Sequence, residues 1–173
     1  GTILPAQVII SPNANQSKVY GTQDPVFTFT NNAGLNEGDF TGTLSRVSGN
    51  NVGTYNYTLG NLSAGANYTL ALSTGAAIPT FAITAKSITI TPDANQSKVY
   101  GDADPIFTYT ASEALLSGNT YSGALGRVTG NNVATYAYTL GTLSAGNNYI
   151  LNLAGTNTFA ITKASLQVKA GLK

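Results

Sequence analysis

The chain has no cysteine, histidine, methionine or tryptophan among its 173 residues. Without cysteine it forms no disulfides and offers no thiol nucleophile. Without histidine it has no Ser-His or Cys-His catalytic pair, and it lacks the usual ligands of zinc and copper sites. These absences exclude the commonest classes of nucleophilic and metal-dependent enzyme.

Charge is also scarce. Charged residues make up 9% of the chain, against about 25% in ordinary soluble domains. Eight basic and seven acidic residues leave a net charge of +1, and no stretch collects the clustered basic residues that a nucleic-acid surface requires. Apolar residues come in short alternating pieces, far below the roughly 18 consecutive residues of a membrane span.

The octapeptide "ANQSKVYG" occurs twice, at residues 14–21 and again at 94–101. Long segments after each copy also match, and the two copies differ in length only in presumed turns, where folds tolerate insertions. We therefore predict two tandem repeats, residues 6–84 and 85–162. Residues 163–173 are predicted to begin a third repeat, because Ser165, Leu166 and Val168 match Ser87, Ile88 and Ile90.

Each repeat carries the pattern of short β-strands. Val, Ile, Tyr, Phe and Thr alternate with small or polar residues between Gly, Pro and Asn turn signals. In "FAIT" at residues 81–84, for example, Phe81 and Ile83 share one face. We predict six or seven strands per repeat and one short helical turn, at 34–39 and 113–119, the latter capped at or before Ser112 and ended by Gly118.

The two repeats are joined through "FAITAKSITI", which contains neither Gly nor Pro. Flexible linkers are rich in Gly and Ser, and stiff spacers are rich in Pro. This composition predicts a short, restrained joint. It predicts two small β domains arranged head to tail as a rod within a longer array.

These marks resemble the MBG ("mostly beta, glycine-rich") repeats of bacterial surface and adhesin-like proteins, in the type marked by a Tyr-Gly pair. The resemblance rests on "KVYG" with its following "DP", on the "LSAG" segment before "NY", and on "FAIT". It covers nearly the whole chain. It implies a mainly β domain used in tandem outside a bacterial cell, as a stalk or adhesive shaft, without catalytic residues. Related mucus-binding repeats suggest a β-grasp-like unit, and the strand count equally allows an immunoglobulin-like sandwich.

The repeated motif residues are predicted to be folding elements. They are Tyr20, Gly21, Asp24 and Pro25 in the first repeat and Tyr100, Gly101, Asp104 and Pro105 in the second. Each tyrosine is expected inside its unit at a bend made by the glycine, each aspartate caps a turn, and each proline starts a strand. The alternative is that the tyrosines are exposed platforms on which a sugar stacks.

Other sites have weaker support. A glycosidase needs two facing carboxylates, whereas one acid per repeat, Asp24 or Asp104, is shared. Asp93, Asp102 and Asp104 form the one local cluster that suggests calcium, and the first repeat lacks two of its acids. Lys18 and Lys98 suggest a Lys-Asn isopeptide bond, which needs a buried acid; the simpler expectation is a solvated lysine.

The sequence thus favours a non-enzymatic spacer that projects a binding region from the bacterial surface, with no cofactor. Its expected partners are neighbouring repeats of the same chain, in a monomer that binds no nucleic acid and does not insert into a membrane. The alternative is an adhesive module that recognises a glycan or a surface protein.

Overall fold

The computed structural model describes residues 1–75 and 77–171. The chain divides into two compact units, Gly1–Lys86 (unit 1) and Ser87–Lys173 (unit 2). This division lies close to the predicted boundary between residues 84 and 85. Short strands dominate both units, so the prediction of a mainly β chain with two tandem segments is confirmed.

The described residues of unit 1 form eight short strands, most of them bounded by Gly, Pro or Asn. They are β1 (Ala6–Pro12), β2 (Ser17–Val19), β3 (Phe29–Asn31), β4 (Ser45–Arg46), β5 (Gly53–Tyr55), β6 (Tyr57–Thr58), β7 (Tyr68–Leu72) and β8 (Phe81–Thr84).

Unit 2 repeats the same plan with seven strands, the first of which begins at Lys86. They are β9 (Lys86–Pro92), β10 (Ser97–Val99), β11 (Tyr109–Ala111), β12 (Gly126–Arg127), β13 (Ala134–Thr139), β14 (Tyr149–Leu153) and β15 (Thr158–Thr162).

The sheets of unit 1 are mixed. One has the order β3-β1-β7, with β1 antiparallel to β3 and parallel to β7. A second has the order β2-β8-β5, with β8 parallel to β2 and antiparallel to β5. β4 and β6 form a separate two-stranded antiparallel sheet. An immunoglobulin-like sandwich consists of antiparallel sheets, and the two parallel pairs of unit 1 differ from that pattern.

Unit 2 has the equivalent sheet order β11-β9-β14, and its second sheet is β10-β15-β13-β12. Here β13 continues without a break and pairs with both β15 and β12. In unit 1 the corresponding segment is split into β5 and β6 at Asn56, where unit 2 has Ala137. Asn is less suited than Ala to a continuous pleated strand because its amide competes for backbone hydrogen bonds.

The core of each unit comes from alternate residues of its first and last long strands. In unit 1, Val8 and Ile10 of β1 and Phe81 and Ile83 of β8 are almost completely buried. Phe27 packs edge-on against Phe81, with ring centroids 5.0 Å apart. The equivalent core residues of unit 2 are Ile88, Ile90, Phe107, Phe159 and Ile161. The predicted inward face of "FAIT" is therefore confirmed in both copies.

Of the two predicted helical turns, one is a single 3₁₀ turn and the other is not helical. Unit 1 has a 3₁₀ turn at Glu37–Asp39, held by the Asn36 backbone N–H, which donates to the Asp39 carboxylate at 2.7 Å. Unit 2 has a plain turn around Gly118, so the helical turn predicted at 113–119 is wrong there. Ser112 does not act as its cap, because its hydroxyl accepts the Thr89 backbone N–H at 3.0 Å. This bond continues the pairing of β11 with β9 by one residue.

The segment predicted to begin a third repeat has no strand over residues 163–171, and its last two residues lie outside the described part of the chain. Leu166 and Val168, which match buried positions of β9, are almost fully exposed there. A membrane-spanning helix, long and apolar enough to cross a bilayer, is not found among the described residues.

One buried polar atom in the core gives a direct test of packing. The Tyr138 side chain is 5% exposed and its ring packs edge-on against Phe107. Among the described residues its hydroxyl has no hydrogen-bond partner, and desolvation raises its pKa. Tyr136, two residues earlier, instead donates its hydroxyl to the Asn132 carbonyl at 2.8 Å.

We expect Tyr138→Phe to leave the stability of unit 2 unchanged or to raise it by up to about 1 kcal/mol, because an unbonded buried hydroxyl costs desolvation energy. The matched control Tyr136→Phe should lower stability by about 0.5–1.5 kcal/mol because it loses a hydrogen bond. Urea unfolding of both variants measures the difference. A clear loss in Tyr138→Phe would show that its hydroxyl has a partner after all.

Candidate functional site

The repeated octapeptide is a turn, a strand and a second turn. Asn15 and Asn95 have φ of +62° and +63°, and Gly21 and Gly101 have φ of +85° and +96°. These are left-handed conformations, which Asn tolerates and glycine adopts without strain. The predicted bend at Gly21 and Gly101 is therefore confirmed.

The glutamine of the octapeptide clamps the following segment. The Gln16 amide donates to the carbonyls of Asn13 and Thr28, both at 3.0 Å, and its oxygen accepts the Thr28 N–H at 2.7 Å. Gln96 makes the same three bonds in unit 2, at 3.0, 2.9 and 2.7 Å. Sequence reasoning missed this role, although the identity of the glutamine in both copies was the available signal.

The clamp also explains where the strand after Asp-Pro begins. Pro25 and Pro105 were predicted to start a strand, but the strands begin later, at Phe29 and Tyr109. The Thr28 N–H bonds to a side chain instead of to a neighbouring strand. The prediction that a strand begins at each proline is wrong, because the glutamine side chain takes the hydrogen-bonding place that a neighbouring strand would have.

The middle of the octapeptide forms an edge strand beside the last strand of its unit. β2 runs parallel to β8, and β10 runs parallel to β15. The N–H of Tyr20 donates to the Thr84 carbonyl, and that of Tyr100 to the Thr162 carbonyl, both at 2.8 Å. The Thr84 and Thr162 hydroxyls donate back to the carbonyls of Lys18 and Lys98 at 3.1 Å.

An ion cluster lies beside each of these edge strands. In unit 1 it consists of Lys18, Asp24 and Arg46. The Lys18 ammonium is 2.7 Å from one Asp24 oxygen, and the Arg46 guanidinium donates to both oxygens, at 2.7 and 3.0 Å. The ion cluster of unit 2, Lys98, Asp104 and Arg127, has corresponding distances of 2.7, 2.6 and 2.9 Å.

Each arginine connects its cluster to the core and to a loop. Arg46 also donates to the carbonyls of Val47 and Gly49, at 3.0 and 2.8 Å. Its guanidinium carbon lies 4.8 Å from the Tyr55 ring centroid and 5.2 Å from that of Phe81. Arg127 repeats these contacts with Tyr136 and Phe159. Cation–π contacts of this kind are favoured where the cation is partly desolvated.

A glycine allows the tyrosine to lie under the arginine. A Cβ added at Gly130 would overlap the Tyr136 ring, and one added at Gly49 would overlap the Tyr55 ring. Gly49 and Gly130 begin the "GNN" loops at residues 49–51 and 130–132, so these glycines have a packing role. They let Tyr and Arg stack at the rim of the core.

The two cations are largely buried, although the acid is not. The side chains of Lys18 and Lys98 are 9% and 10% exposed, and those of both arginines are 7% exposed. The expectation of a solvated lysine is wrong, because each ammonium is held at the carboxylate beside the arginine. Asp24 and Asp104 therefore bridge two cations rather than cap a turn.

The cations keep these carboxylates ionised. The hydrogen bond from Arg127 is the main cause that lowers the pKa of Asp104 from an ordinary 3.8 to about 2, and Lys98 adds to it. Arg46 and Lys18 lower the pKa of Asp24 in the same direction. A carboxyl group held in this state is a poor proton donor. The structure therefore does not support a proton-transfer role for Asp24 or Asp104, either in catalysis or as the acid that the isopeptide bond at Lys18 or Lys98 would need.

The tyrosines beside the glycines are less buried than expected. Tyr20 is partly buried against the core of unit 1, but Tyr100 is 52% exposed. The prediction that Tyr100 lies inside unit 2 is wrong. Tyr100 contributes to the strand pairing through its backbone N–H, which donates to the Thr162 carbonyl.

The candidate calcium residues serve other purposes. Asp93 accepts the Thr110 hydroxyl at 3.1 Å, Asp102 lies in an exposed turn, and Asp104 belongs to the ion cluster. Among residues 1–75 and 77–171 there is no group of three or more acidic side chains placed to hold a metal ion.

Each unit has an open, shallow groove along its octapeptide and last strand. In unit 2 the groove is lined by polar groups that include Asn95, Ser97, Asn157 and Thr158. The corresponding groove of unit 1 includes Asn15, Ser17 and Thr80. Both grooves combine amide and hydroxyl side chains with small apolar ones, and their lining residues include no charged side chain.

Comparison with known proteins gives one family. A family model described as "MBG domain (YGX type)" matches residues 8–78 and 88–160. That family is a structural repeat domain and not a known enzyme family. No curated protein matches the chain with significance.

The ion cluster of unit 2 predicts both a stability loss and a pH dependence. We expect Asp104→Asn to destabilise unit 2 by about 1–3 kcal/mol, because two mostly buried cations lose their counter-charge while the partly exposed site limits the penalty. Because the folded pKa of Asp104 is depressed, its contribution is present above the unfolded value of 3.8 and is lost as pH falls toward about 2. The variant should lack that acid-dependent component in thermal melts.

The exposed Asp102 provides the control. Asp102→Asn should change stability by no more than about 0.5 kcal/mol, as is usual for surface substitutions. If Asp104→Asn and Asp102→Asn gave the same small change, the ion cluster would have no structural role.

Proposed function

Since the chain belongs to the MBG family of the YGX type, a family that suggests a repeat module of surface-type proteins, we propose that it is a non-catalytic spacer. In this proposal it is part of an extracellular adhesin-like protein of a bacterial cell surface, where it holds a binding region away from the cell. It works as a monomer beside further repeats and needs no cofactor.

The proposal rests on one observation: the repeated polar residues bond to groups of their own unit. Gln16 and Gln96 clamp their own loops. The repeated lysine and arginine both pair with the repeated aspartate of their own unit. A shared ligand site would require repeated polar groups directed outward, whereas these are directed into their own fold.

The surface composition supports the same role. Charged residues are few and nearly balanced, with a net charge of +1. Long-range attraction of charged partners is weak under those conditions. A chain of this kind suits a module that separates other domains without competing for their ligands.

The proposal is tested by display on a bacterial surface. A binding domain of known specificity is fused to an anchor either through the two-unit chain or through a Gly/Ser linker with the same number of residues, which behaves as a flexible coil. We expect the two-unit chain to give better capture of ligand-coated beads, because ordered units hold the tip away from the surface. Equal capture by the two fusions would contradict a spacer role.

The binding alternative is tested with the purified chain on glycan arrays and matrix proteins. A spacer should show no saturable binding. A specific, saturable ligand would overturn the proposal in favour of an adhesive module.

One observation favours that second candidate. Tyr100 is half-exposed, and its N–H pairs with Thr162, a residue of the polar groove of unit 2. An exposed aromatic ring next to a strand that borders this groove offers a surface on which a sugar can stack. The candidate function is recognition of a neutral glycan by unit 2.

Tyr100→Ala separates the structural role from the binding role. We expect unit 2 to remain folded, with a loss of no more than about 1 kcal/mol, because the ring is half-exposed and its backbone hydrogen bond is retained. Circular dichroism and urea unfolding measure this. A ligand that binds the wild-type chain and not the folded variant would support the binding role. If the variant's unit 2 were unfolded, Tyr100 would instead be needed for folding.

A further inference from the structure

Tension along the chain enters and leaves unit 1 through two particular strands. A pull from the N-terminal side acts on β1 at Ala6. A pull from the C-terminal side acts on β8 at Thr84, which one residue separates from β9 at Lys86. The strands that hold β1 and β8 in place therefore decide how unit 1 resists force.

The first of these strands is held by a parallel neighbour. β1 pairs with β7 in a register that runs from Ala6 opposite Tyr68 to Ile10 opposite Leu72. Backbone bonds extend the pair at both ends, from Ala6 to Asn67 at 2.9 Å and from Ser73 to Ile10 at 2.8 Å. The chain leaves β7 toward β8 at the end opposite to the point where force enters β1.

A parallel pair loaded in this way is sheared. The pull on β1 acts toward its N-terminus, and the pull transmitted to β7 acts toward its C-terminus, so the two strands are drawn past each other along their length. The hydrogen bonds across the pair then carry the load together. If force acted at one end across the strands, the bonds would instead break one after another.

The last strand is loaded in the same way. β8 is parallel to β2, force leaves β8 at its C-terminus, and β2 is connected to β1 through its N-terminus. Two contacts from Thr84 to the octapeptide strand reinforce the pair, at 2.8 Å from the Tyr20 N–H and at 3.1 Å to the Lys18 carbonyl. The stack of Arg46 on Phe81 adds a side-chain contact to β8.

Unit 2 has the equivalent pair at its C-terminal end. β10 is parallel to β15, with Ser97 opposite Ala160 and Val99 opposite Thr162. Arg127 lies over Phe159 of β15, and its cluster partner Lys98 belongs to β10. The ion cluster thus ties the edge strand to the strand through which force would leave.

We propose that each unit is a load-bearing module whose parallel strand pairs, β1 with β7 and β2 with β8 in unit 1 and β10 with β15 in unit 2, resist chain tension in shear. The inference rests on the proposed spacer function for its biological purpose, since an adhesive tip under flow would pull on its spacer. The strand directions alone supply the mechanical prediction.

The test compares two pulling directions on the same folded unit. The chain has no native cysteine, so handles attach only where cysteines are introduced. One full-length variant carries Thr2→Cys and Ser87→Cys, which load β1 and β8 along the strands. The other carries Thr2→Cys and Ala66→Cys, which pull β1 and β7 apart at the end where Ala6 bonds to Asn67. All three positions are exposed.

Single-molecule force spectroscopy should give an unfolding force for the Thr2/Ser87 variant that is about two-fold or more above that of the Thr2/Ala66 variant, because forced unfolding follows the barrier along the pulled direction. Ser87→Cys removes the hydroxyl that accepts the Asn152 side-chain amide in unit 2, so equilibrium stability is compared on the melting of unit 1. That transition should coincide in both variants and in the parent chain. Equal forces in the two directions would overturn the shear proposal.

The force test and the spacer test can fail independently of each other. A high shear force together with a saturable glycan ligand would retain the load-bearing inference and overturn the spacer function. Equal forces together with improved bead capture would retain the spacer function and overturn the inference.

Discussion

The bridge that one carboxylate makes between two cations is the interaction on which the rest of each unit depends. The chain has few charges, yet three of them meet in each unit, at Lys18, Asp24 and Arg46 or at their counterparts. The arginine then reaches two loop carbonyls and two aromatic rings. One charged group thus joins the edge strand, the segment after it, the "GNN" loop and the core.

This arrangement compensates for short strands. Many strands in these units have two or three residues, and an isolated pair of that length is not stable. Side chains supply hydrogen bonds that the short backbone ladders lack. Gln16 and Gln96, for example, bond to the residues just before Phe29 and Tyr109, where no strand pairing is present among the described residues. The cost of ordering these long side chains is reduced because each makes several contacts at once.

The sequence allowed prediction of the repeats, the strand content, the inward face of "FAIT" and the bends at Gly21 and Gly101, because these follow from local pattern and backbone conformation. It did not allow prediction of the ion clusters, since Arg46 is distant in sequence from Asp24 and only the fold brings them together. Tyr100 was misjudged for a related reason. A repeated aromatic residue suggests a core position, but only Tyr20 packs against its core, whereas Tyr100 is half-exposed. The helical turn at 113–119 is absent because unit 2 lacks the aspartate that holds the turn of unit 1. The Asn36 N–H donates to Asp39 in unit 1, whereas the Leu116 N–H of unit 2 donates to the Tyr149 hydroxyl.

The parallel pairing of β1 with β7 has a consequence for how the chain folds. Ala6 meets Tyr68, so the first strand of unit 1 cannot gain this neighbour until about sixty more residues are available, and such distant contacts slow folding. β2 in turn waits for β8, the last strand of the unit. A unit that emerges gradually from a ribosome therefore completes its sheets only at the end of its own sequence.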